Sequence, residues 1–430
     1  MNNTMKHNFT FIIKGDFCYS ASKKELAARE NHFLICINGI CAGIFENIPM
    51  QYRHIPVTDY SGHLILPGLT DLHTHAPQYS FRGMGMDLEL LDWLNTHTFP
   101  EESRYEDLAY ARNAYRRFTD DMIHGPSTRA CIFATRHVTA TLLLMDMLEA
   151  SGLITKVGKV NMDRNCPFPL CEADFNTSLS DTQLWLEASK KQKRCLPILT
   201  PRFIPSCSDP LMKGLADLQK NTGLPVQSHL SENLSEIEWV QELCPDSRFY
   251  GEAYYNYHLF GGETCPTIMA HCVHSSPEEI ELLKSQNVWV AHCPQSNTNL
   301  SSGIAPVRRY LDQDLRIGLG SDIAGGTCGS IFRAMTDAIQ VSKLYWRLID
   351  TDAVPVTVEE AFWMGTAGGG TFFGKTGSFL PGWDADILVM DESRFPNTSP
   401  LTLRQRLERV IYLSEDRDIL HKFVAGRQLF

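Results

Sequence analysis

The sequence predicts an α/β protein, a (β/α)8 TIM-type barrel with a small β-sandwich domain formed from both chain termini. Three observations predict it. Eight short apolar runs recur along the middle of the chain with amphipathic stretches between them, which is the texture of buried parallel strands alternating with helices. The two flanks carry strand-like segments without helical spacing. The chain has 430 residues, and a barrel of this kind takes about 250, which leaves room for one smaller domain.

Taken in order, residues 9–66 open with strand-like Phe9 to Ile13 and Phe33 to Ile37, followed by a hairpin signal at Asn38 and Gly39. The barrel runs are then Leu64 to Leu72, Ala130 to Ala134, Ile154 to Met162, Leu196 to Phe203, Pro225 to Leu230, Thr267 to Val273, Val288 to His292 and Arg316 to Gly320. Helix starts are marked by a capping box of Ser235 with Glu238. Ser276, Pro277 and Glu279 combine a cap, an initial proline and a reciprocal carboxylate. The tail returns to strand texture at Ala385 to Met390 and at Lys422 to Phe430 around Gly426. The expected division is therefore 1–66 and 375–430 for the two parts of the small β domain and 67–374 for the barrel. A barrel inserted in this way requires the chain ends to lie close together.

Composition narrows the function classes. Hydrophobic residues make up 43% and the formal charge is -11, so the chain buries an ordinary core and is a poor match for duplex nucleic acid. The one dense basic run, Lys190-Lys191-Gln192-Lys193-Arg194, reads as a solvated helix end. No apolar stretch approaches the about 18 residues of a membrane span. Met1 to Ile13 lacks the basic and apolar regions of a secretory leader. Thirteen cysteines at irregular spacing, with no Cys-x-x-Cys pair, read as reduced buried thiols in a cytoplasmic protein.

The chemistry is expected where strands end, because active sites of such barrels sit at the C-terminal ends of the strands. The first run ends in His73-Thr74-His75, and residues two apart on a strand share a face, so both imidazoles can point into one mouth. Taken alone, such a pair is more often a polar strand end. The fifth run ends in Ser228-His229-Leu230-Ser231-Glu232, the sixth in His271 and the eighth in Asp322. Each has an ordinary alternative: a helix-dipole carboxylate for Glu232, a core histidine for His271, a helix cap for Asp322. Their coincidence at the ends of strands surrounding one cavity outweighs those alternatives. Imidazole and carboxylate ligands in this number suit zinc(II) or iron(II), and such an ion lowers the pKa of a bound water to about 7, so the reaction class is metal-assisted hydrolysis.

These residues resemble the amidohydrolase superfamily, with its His-x-His on the first strand, histidines on the fifth and sixth, and aspartate on the eighth. From about residue 60 onward the chain is similar to the guanine deaminase branch. The resemblance rests on the strings Pro67 to Tyr79, Leu91-Asp92-Trp93-Leu94, Thr98-Phe99-Pro100-Glu101, Thr200-Pro201-Arg202-Phe203, Gln227 to Asn233, Ala291 to Asn297 and Ile317 to Gly326. The resemblance implies one zinc(II) per subunit, iron(II) being the alternative, on His73, His75, His229 and Asp322. His271 is either a further ligand or a hydrogen-bond partner of the bound water. It further implies that Gln78 and Arg202 hydrogen-bond the edge of guanine and that Phe203 packs on its ring, so that His75, His229, Glu232 and Asp322 also face the substrate. The catalytic groups it implies are Asp322, taking a proton from the attacking water, Glu232, shuttling protons to the ring and the departing amine, and His271. Xanthine and ammonia are the implied products, and a homodimer the implied assembly.

Some strings depart from the pattern. Phe81-Arg82-Gly83-Met84-Gly85-Met86 and Cys272-Val273-His274 match nothing fixed, so fine specificity could shift there. His97 and His292 lie near the expected mouth, either as loop hydrogen-bond residues or as pocket lining. A binuclear amidohydrolase would need a bridging lysine at the end of the fourth run. Leu196 to Phe203 has none, and Lys156 and Lys159 lie in the third. The other zinc deaminase signature, His-x-Glu with Pro-Cys-x-x-Cys, is absent. The remaining rivals are a mononuclear aminohydrolase for an 8-oxopurine or a pyrimidine, and a catalytically silent scaffold.

Overall fold

Why the middle of the chain forms parallel strands is visible in their burial: Leu69–His75, Ser127–Phe133, Thr267–His271 and Trp289–His292 are buried at every residue, so both faces of each strand are covered. The computed structural model describes residues 9–430; the leader reading of Met1 to Ile13 falls largely outside them. One parallel sheet runs Leu69–His75, Ser127–Phe133, Ile154–Gly158, Cys195–Pro197; a second runs Val226–Leu230, Thr267–His271, Trp289–His292, Arg316–Leu319. Thr200–Pro201 pairs with Val160–Asn161, and the backbone of Leu199 exchanges hydrogen bonds with Pro225 and Gln227, joining the sheets on one side. On the other side the Asp322 N–H donates to the His73 carbonyl at 2.8 Å, and the His75 N–H to Ile323 at 3.1 Å. The last parallel strand therefore lies beside the first.

The first expected run, Leu64 to Leu72, belongs to two sheets. Val57–Pro67 pairs antiparallel with Ile387–Met390, Pro67 opposite Ile387, and the chain then breaks at Gly68 before Leu69–His75 begins. Proline supplies no N–H to continue a ladder, and a Cβ on Gly68 would stand 2.3 Å from Thr128. Apolar continuity alone did not reveal that break.

The flanking strands form one mixed sheet of seven strands, where a two-sheet sandwich is expected. The order is Arg427–Gln428, Ile419–Val424, Ile387–Met390, Val57–Pro67, Phe11–Ser20, Leu26–Ile37, Ile40–Phe45. Alternation gives the sheet two apolar faces: Phe17, Leu34, Ile65, Ile387, Val389 and Phe423 pack together, while Leu64, Leu66, Leu388 and Met390 join the core that runs into the parallel sheets. A single sheet can bury the first face because it bends, with register shifts between Gly15 and Phe17 and between Lys14 and Asp16. Phe11 and Phe423, on non-adjacent strands, come to 5.3 Å. The Asn38-Gly39 hairpin has positive φ at both residues, 52° and 84°, and a Cβ on Gly39 would meet the Ala425 carbonyl at 2.4 Å. Phe9 lies against Gly426, so the start of the described chain sits beside its last hairpin.

Two helix starts differ in detail from expectation. The helix Leu234–Leu243 is capped by Asn233 with Glu236 in a capping box, in place of Ser235 with Glu238. Asn233 already accepts the Ser235 N–H, so the box closes two residues earlier and Glu236 turns back toward Glu232. Ser276 caps Pro277–Ser285 as expected, but the Glu279 carboxylate bonds Ser231 and Gly251 instead of returning to the cap. The helix Phe175–Ser189 ends at the basic run, where Lys190 and Lys191 are exposed and pair with Glu187 and Asp146. The expectation of reduced buried thiols throughout is corrected at four cysteines: Cys166 and Cys171 are joined as a disulfide, and of the eleven free ones Cys244 is half-buried and Cys328 exposed.

Arg129 clasps the two parts of the molecule. It is 3% exposed, donates through Nε to Asp386 at 2.6 Å, and through Nη2 to Asp386 and Asp384, both at 2.9 Å. Removing one member of a buried pair strands the other charge, at a cost of about 3–5 kcal/mol. Arg129→Met is expected to lower the stability by that order in urea denaturation at neutral pH. A midpoint unchanged from wild type would show that the clasp contributes nothing.

Candidate functional site

The strand ends converge as their period requires. The Nε2 atoms of His73 and His75 lie 3.2 Å apart, and those of His75 and His229 also 3.2 Å apart. Asp322 Oδ1 stands 3.1 Å from His73 Nε2 and 3.4 Å from His75 Nε2. His271 Nε2 is 3.8 Å from Asp322 Oδ2 and 3.4 Å from Glu232 Oε2. His271 and Asp322 both take left-handed backbone, φ 74° and 46°, which is uncommon outside glycine and aims each side chain inward at the turn off its strand.

Neighbouring groups orient the rings. His229 Nδ1 bonds the Arg202 carbonyl at 2.6 Å and His271 Nδ1 bonds Asn297 Oδ1 at 2.9 Å, so each Nδ1 is the donor and each Nε2 lone pair faces the centre. Asp71 accepts the His73 N–H at 3.1 Å and the Ser321 hydroxyl at 2.5 Å, tying the first strand to the eighth. Burial holds His73, His75 and His229 below the usual imidazole range, and for His75 and His229 the other imidazoles add to it. Burial opposes ionisation of Asp322, yet His73 and His271 outweigh it and hold the carboxyl well below the usual range. Burial therefore favours the neutral, metal-binding form of His73, His75 and His229 beside the Asp322 carboxylate.

That donor set fits a metal ion. The His75 Nε2 lies 3.2 Å from both the His73 and the His229 Nε2, the lone pair of His229 Nε2 is turned to the centre by the Nδ1 bond to Arg202, and the buried Nε2 of His271 has no hydrogen-bond partner. His73, His75 and His229, and likewise His73, His271 and Asp322, place their ligand atoms within 4.8 Å of one another. A divalent cation accepts such lone pairs.

Above the cluster is a cavity lined by His75, Gln78, Arg202, Phe203, His229, Glu232, His271 and Asp322, closed by Leu90, Trp93, Leu94 and Leu300, with Glu236 at its edge. All the sequence-expected residues therefore meet here, with His73 beneath the cavity wall. Burial, reinforced by the Asp322 charge, raises the Glu232 carboxyl well above its usual range; Ser302 donates to its Oε1 at 3.3 Å. The Glu236 carboxyl is raised to about 7 by burial and by Glu232. Its Oε2 accepts the Glu232 N–H at 3.1 Å, and Tyr250 donates to its Oε1 at 2.8 Å.

Other expectations resolve separately. The Phe81 to Met86 segment supports the cavity roof: Trp93 Nε1 donates to the Met84 carbonyl at 3.1 Å, and Phe81 packs on Trp93. His97 bonds Thr96 outside the cavity, and His292 is buried with both ring nitrogens unpartnered. Neither lines the cavity. Lys159 pairs with Glu172 in the interior and Lys156 lies near the Phe372 and Phe373 rings, so neither joins the cluster.

Several working residues carried no signal of their own in the sequence. Glu102 directly follows a recognised string, and Glu236 stands one helical turn after Glu232, which is the spacing that could have found it. Asn297 lies inside a quoted string without an obvious task. Leu90 and Leu300 are ordinary apolar residues until the fold closes them over the cavity.

The comparisons agree with this geometry. A family model described as the amidohydrolase family matches residues 64–429. The chain is 38% identical to a guanine deaminase of Dictyostelium discoideum over 87% of its own length and 84% of that protein. It is 35% identical to a guanine deaminase of Homo sapiens, covering 97% and 96%. A crystal structure of guanine deaminase from C. acetobutylicum with guanine in its active site superposes with a TM-score of 0.94 at 45% identity, covering 98% of this chain and 100% of that one.

Proposed function

The chain belongs to the amidohydrolase family, and on that premise we propose that it is a hydrolase that deaminates guanine, releasing xanthine and ammonia. The observation that carries this is one cavity lined together by His75, His229, His271 and Asp322 of the cluster and by Gln78, Arg202 and Phe203. The two parallel sheets, joined at both edges, are read as one (β/α)8 barrel. We read residues 67–374 as the barrel and 1–66, described from residue 9, with 375–430 as the flanking domain, a division that the break at Gly68 supports to within one residue.

In this reading His73, His75, His229 and Asp322 hold one zinc(II), with iron(II) the alternative, and His271 leans on Glu232 and Asp322. When bound, the ion acidifies water and offsets negative charge. The rest falls to the protein. Phe203 packs against the purine plane, and Arg202 and Gln78 offer N–H donors to its oxo edge. Asp322 takes a proton from the water attacking the carbon that bears the amine. Glu232, held protonated by burial and by Asp322, gives its proton to the adjacent ring nitrogen. It collects the remaining proton of the added water as the new oxo group forms and hands it to the amine, which leaves as ammonia, and the proton held on Asp322 then returns to Glu232. The leucine and tryptophan roof keeps bulk water from these transfers.

A homodimer in the cytoplasm completes the reading. Exposed Leu344, Leu348, Ile349 and Val354 at one helix end support pairing, and the excess of eleven unpaired cysteines over the one Cys166–Cys171 bridge supports a reducing compartment. Among the described residues no helix is long and apolar enough to cross a membrane.

Ammonia release from guanine by zinc-loaded protein tests the proposal, and turnover is expected. Metal-loaded protein that releases none would reject the substrate and leave the hydrolytic centre. Arg202→Lys loses the planar fork and is expected to raise KM for guanine about tenfold or more. An unchanged KM would remove Arg202 from the substrate contacts.

A further inference from the structure

Glu102 is spent on no step above, yet it touches both residues assigned to the substrate edge. Its carboxylate is 1% exposed. Oε1 accepts from Gln78 Nε2 at 3.0 Å, and Oε2 accepts from Arg202 Nη1 at 2.6 Å. An ionised carboxylate can only accept, so it turns the Gln78 amide with its NH2 toward Glu102. At the other end of that amide, Oε1 accepts the Ala324 N–H at 3.0 Å, and a backbone N–H can only donate. The orientation of Gln78 is therefore set twice over. Arg202 is fixed in turn by Glu102 and by Phe99, whose ring centre lies 5.1 Å from the guanidinium carbon.

What the pair has left for the cavity follows by subtraction. Gln78 has turned its oxygen to Ala324 and one N–H to Glu102, which leaves its second N–H to be directed at the cavity; Arg202 has spent one N–H of its guanidinium. Both remaining faces are donors. We infer that Glu102 is a positioning residue that forces Gln78 and Arg202 to present donors alone, and so sets the preference for a purine carrying an oxo acceptor at that edge. This rests on the reading of Gln78 and Arg202 as substrate contacts. The placement also accounts for a buried ion pair where apolar side chains would close the interior at less desolvation cost.

The test uses two ligands that have no amine to lose: hypoxanthine, which carries the oxo group, and purine, which does not. Titration calorimetry on the metal-loaded protein is expected to show hypoxanthine bound about a hundredfold or more tighter than purine, because a site built for an acceptor rejects the analogue lacking it. In Glu102→Gln only the Ala324 N–H still holds the Gln78 amide and Arg202 loses its charged anchor, so the ratio is expected to fall at least about tenfold with purine affinity and metal content held near wild type, while the stranded Arg202 charge lowers the melting transition. Glu102→Asp keeps the charge and is expected to recover part of the preference, which also carries the comparison if E102Q does not fold. A folded E102Q that keeps the wild-type ratio, or weakens both ligands equally, overturns the inference alone. A wild type indifferent to the oxo group overturns the reading of Gln78 and Arg202 and the inference with it.

Discussion

Glu232→Gln is expected to lower guanine turnover by about a thousandfold or more while the metal content stays at the wild-type value, since a positioned acid–base group contributes about 10²–10⁴. The side chain is 4% exposed, one oxygen accepting from Ser302 at 3.3 Å and the other 3.4 Å from His271 Nε2. Burial and the neighbouring Asp322 charge keep its proton on at pH values where an exposed glutamate has lost it. Glutamine preserves the shape and the Ser302 bond but has no proton to hand on. Ammonia release under saturating guanine, read beside metal analysis of the same sample, separates the proton transfer from loss of the ion. A variant keeping more than a tenth of the wild-type rate would take the shuttle away from Glu232.

Stripping the metal with a chelator is expected to reduce turnover to about 1% or less and to lower the melting temperature, because an ion bound only by the folded state stabilises it. The geometric ground is the set of ring nitrogens and the Asp322 carboxylate whose ligand atoms converge within 4.8 Å, with the His271 Nε2 unpartnered. Zinc(II) should restore both activity and stability. His229→Ala is expected to lose turnover to the same degree and to recover far less on adding zinc(II). Full activity in a demonstrably metal-free protein would refute a metal centre at His73, His75 and His229.

How much of this could be read in advance varies from residue to residue. His73 and His75 are legible because strand residues two apart share a face, and His229, His271 and Asp322 because each closes a buried apolar run. The hairpin at Asn38 and Gly39 is legible because few residues accept positive φ twice in succession. Less visible was the division of Leu64 to Leu72 between two sheets, since both halves are equally apolar and only pairing tells them apart. The single curled sheet, where two were expected, depends on bulges that leave no mark in hydrophobic alternation.

By itself, then, the sequence determined the alternating parallel-strand pattern and the imidazole and carboxylate groups at the strand ends, and through its resemblance it pointed to the reaction and substrate proposed above. Only the tertiary structure decided which carboxylates work and how the substrate edge is oriented. Glu102 meets Arg202 across 100 residues and Asp71 meets Ser321 across 250, and Glu102 sits beside the equally plausible Glu101, which turns away to Arg104 and Tyr110. Local periodicity dictates which face a side chain leaves its own strand or helix from. Which distant group it then meets in the low-dielectric interior depends on how the elements close around the cavity, and that closure is a property of the whole chain.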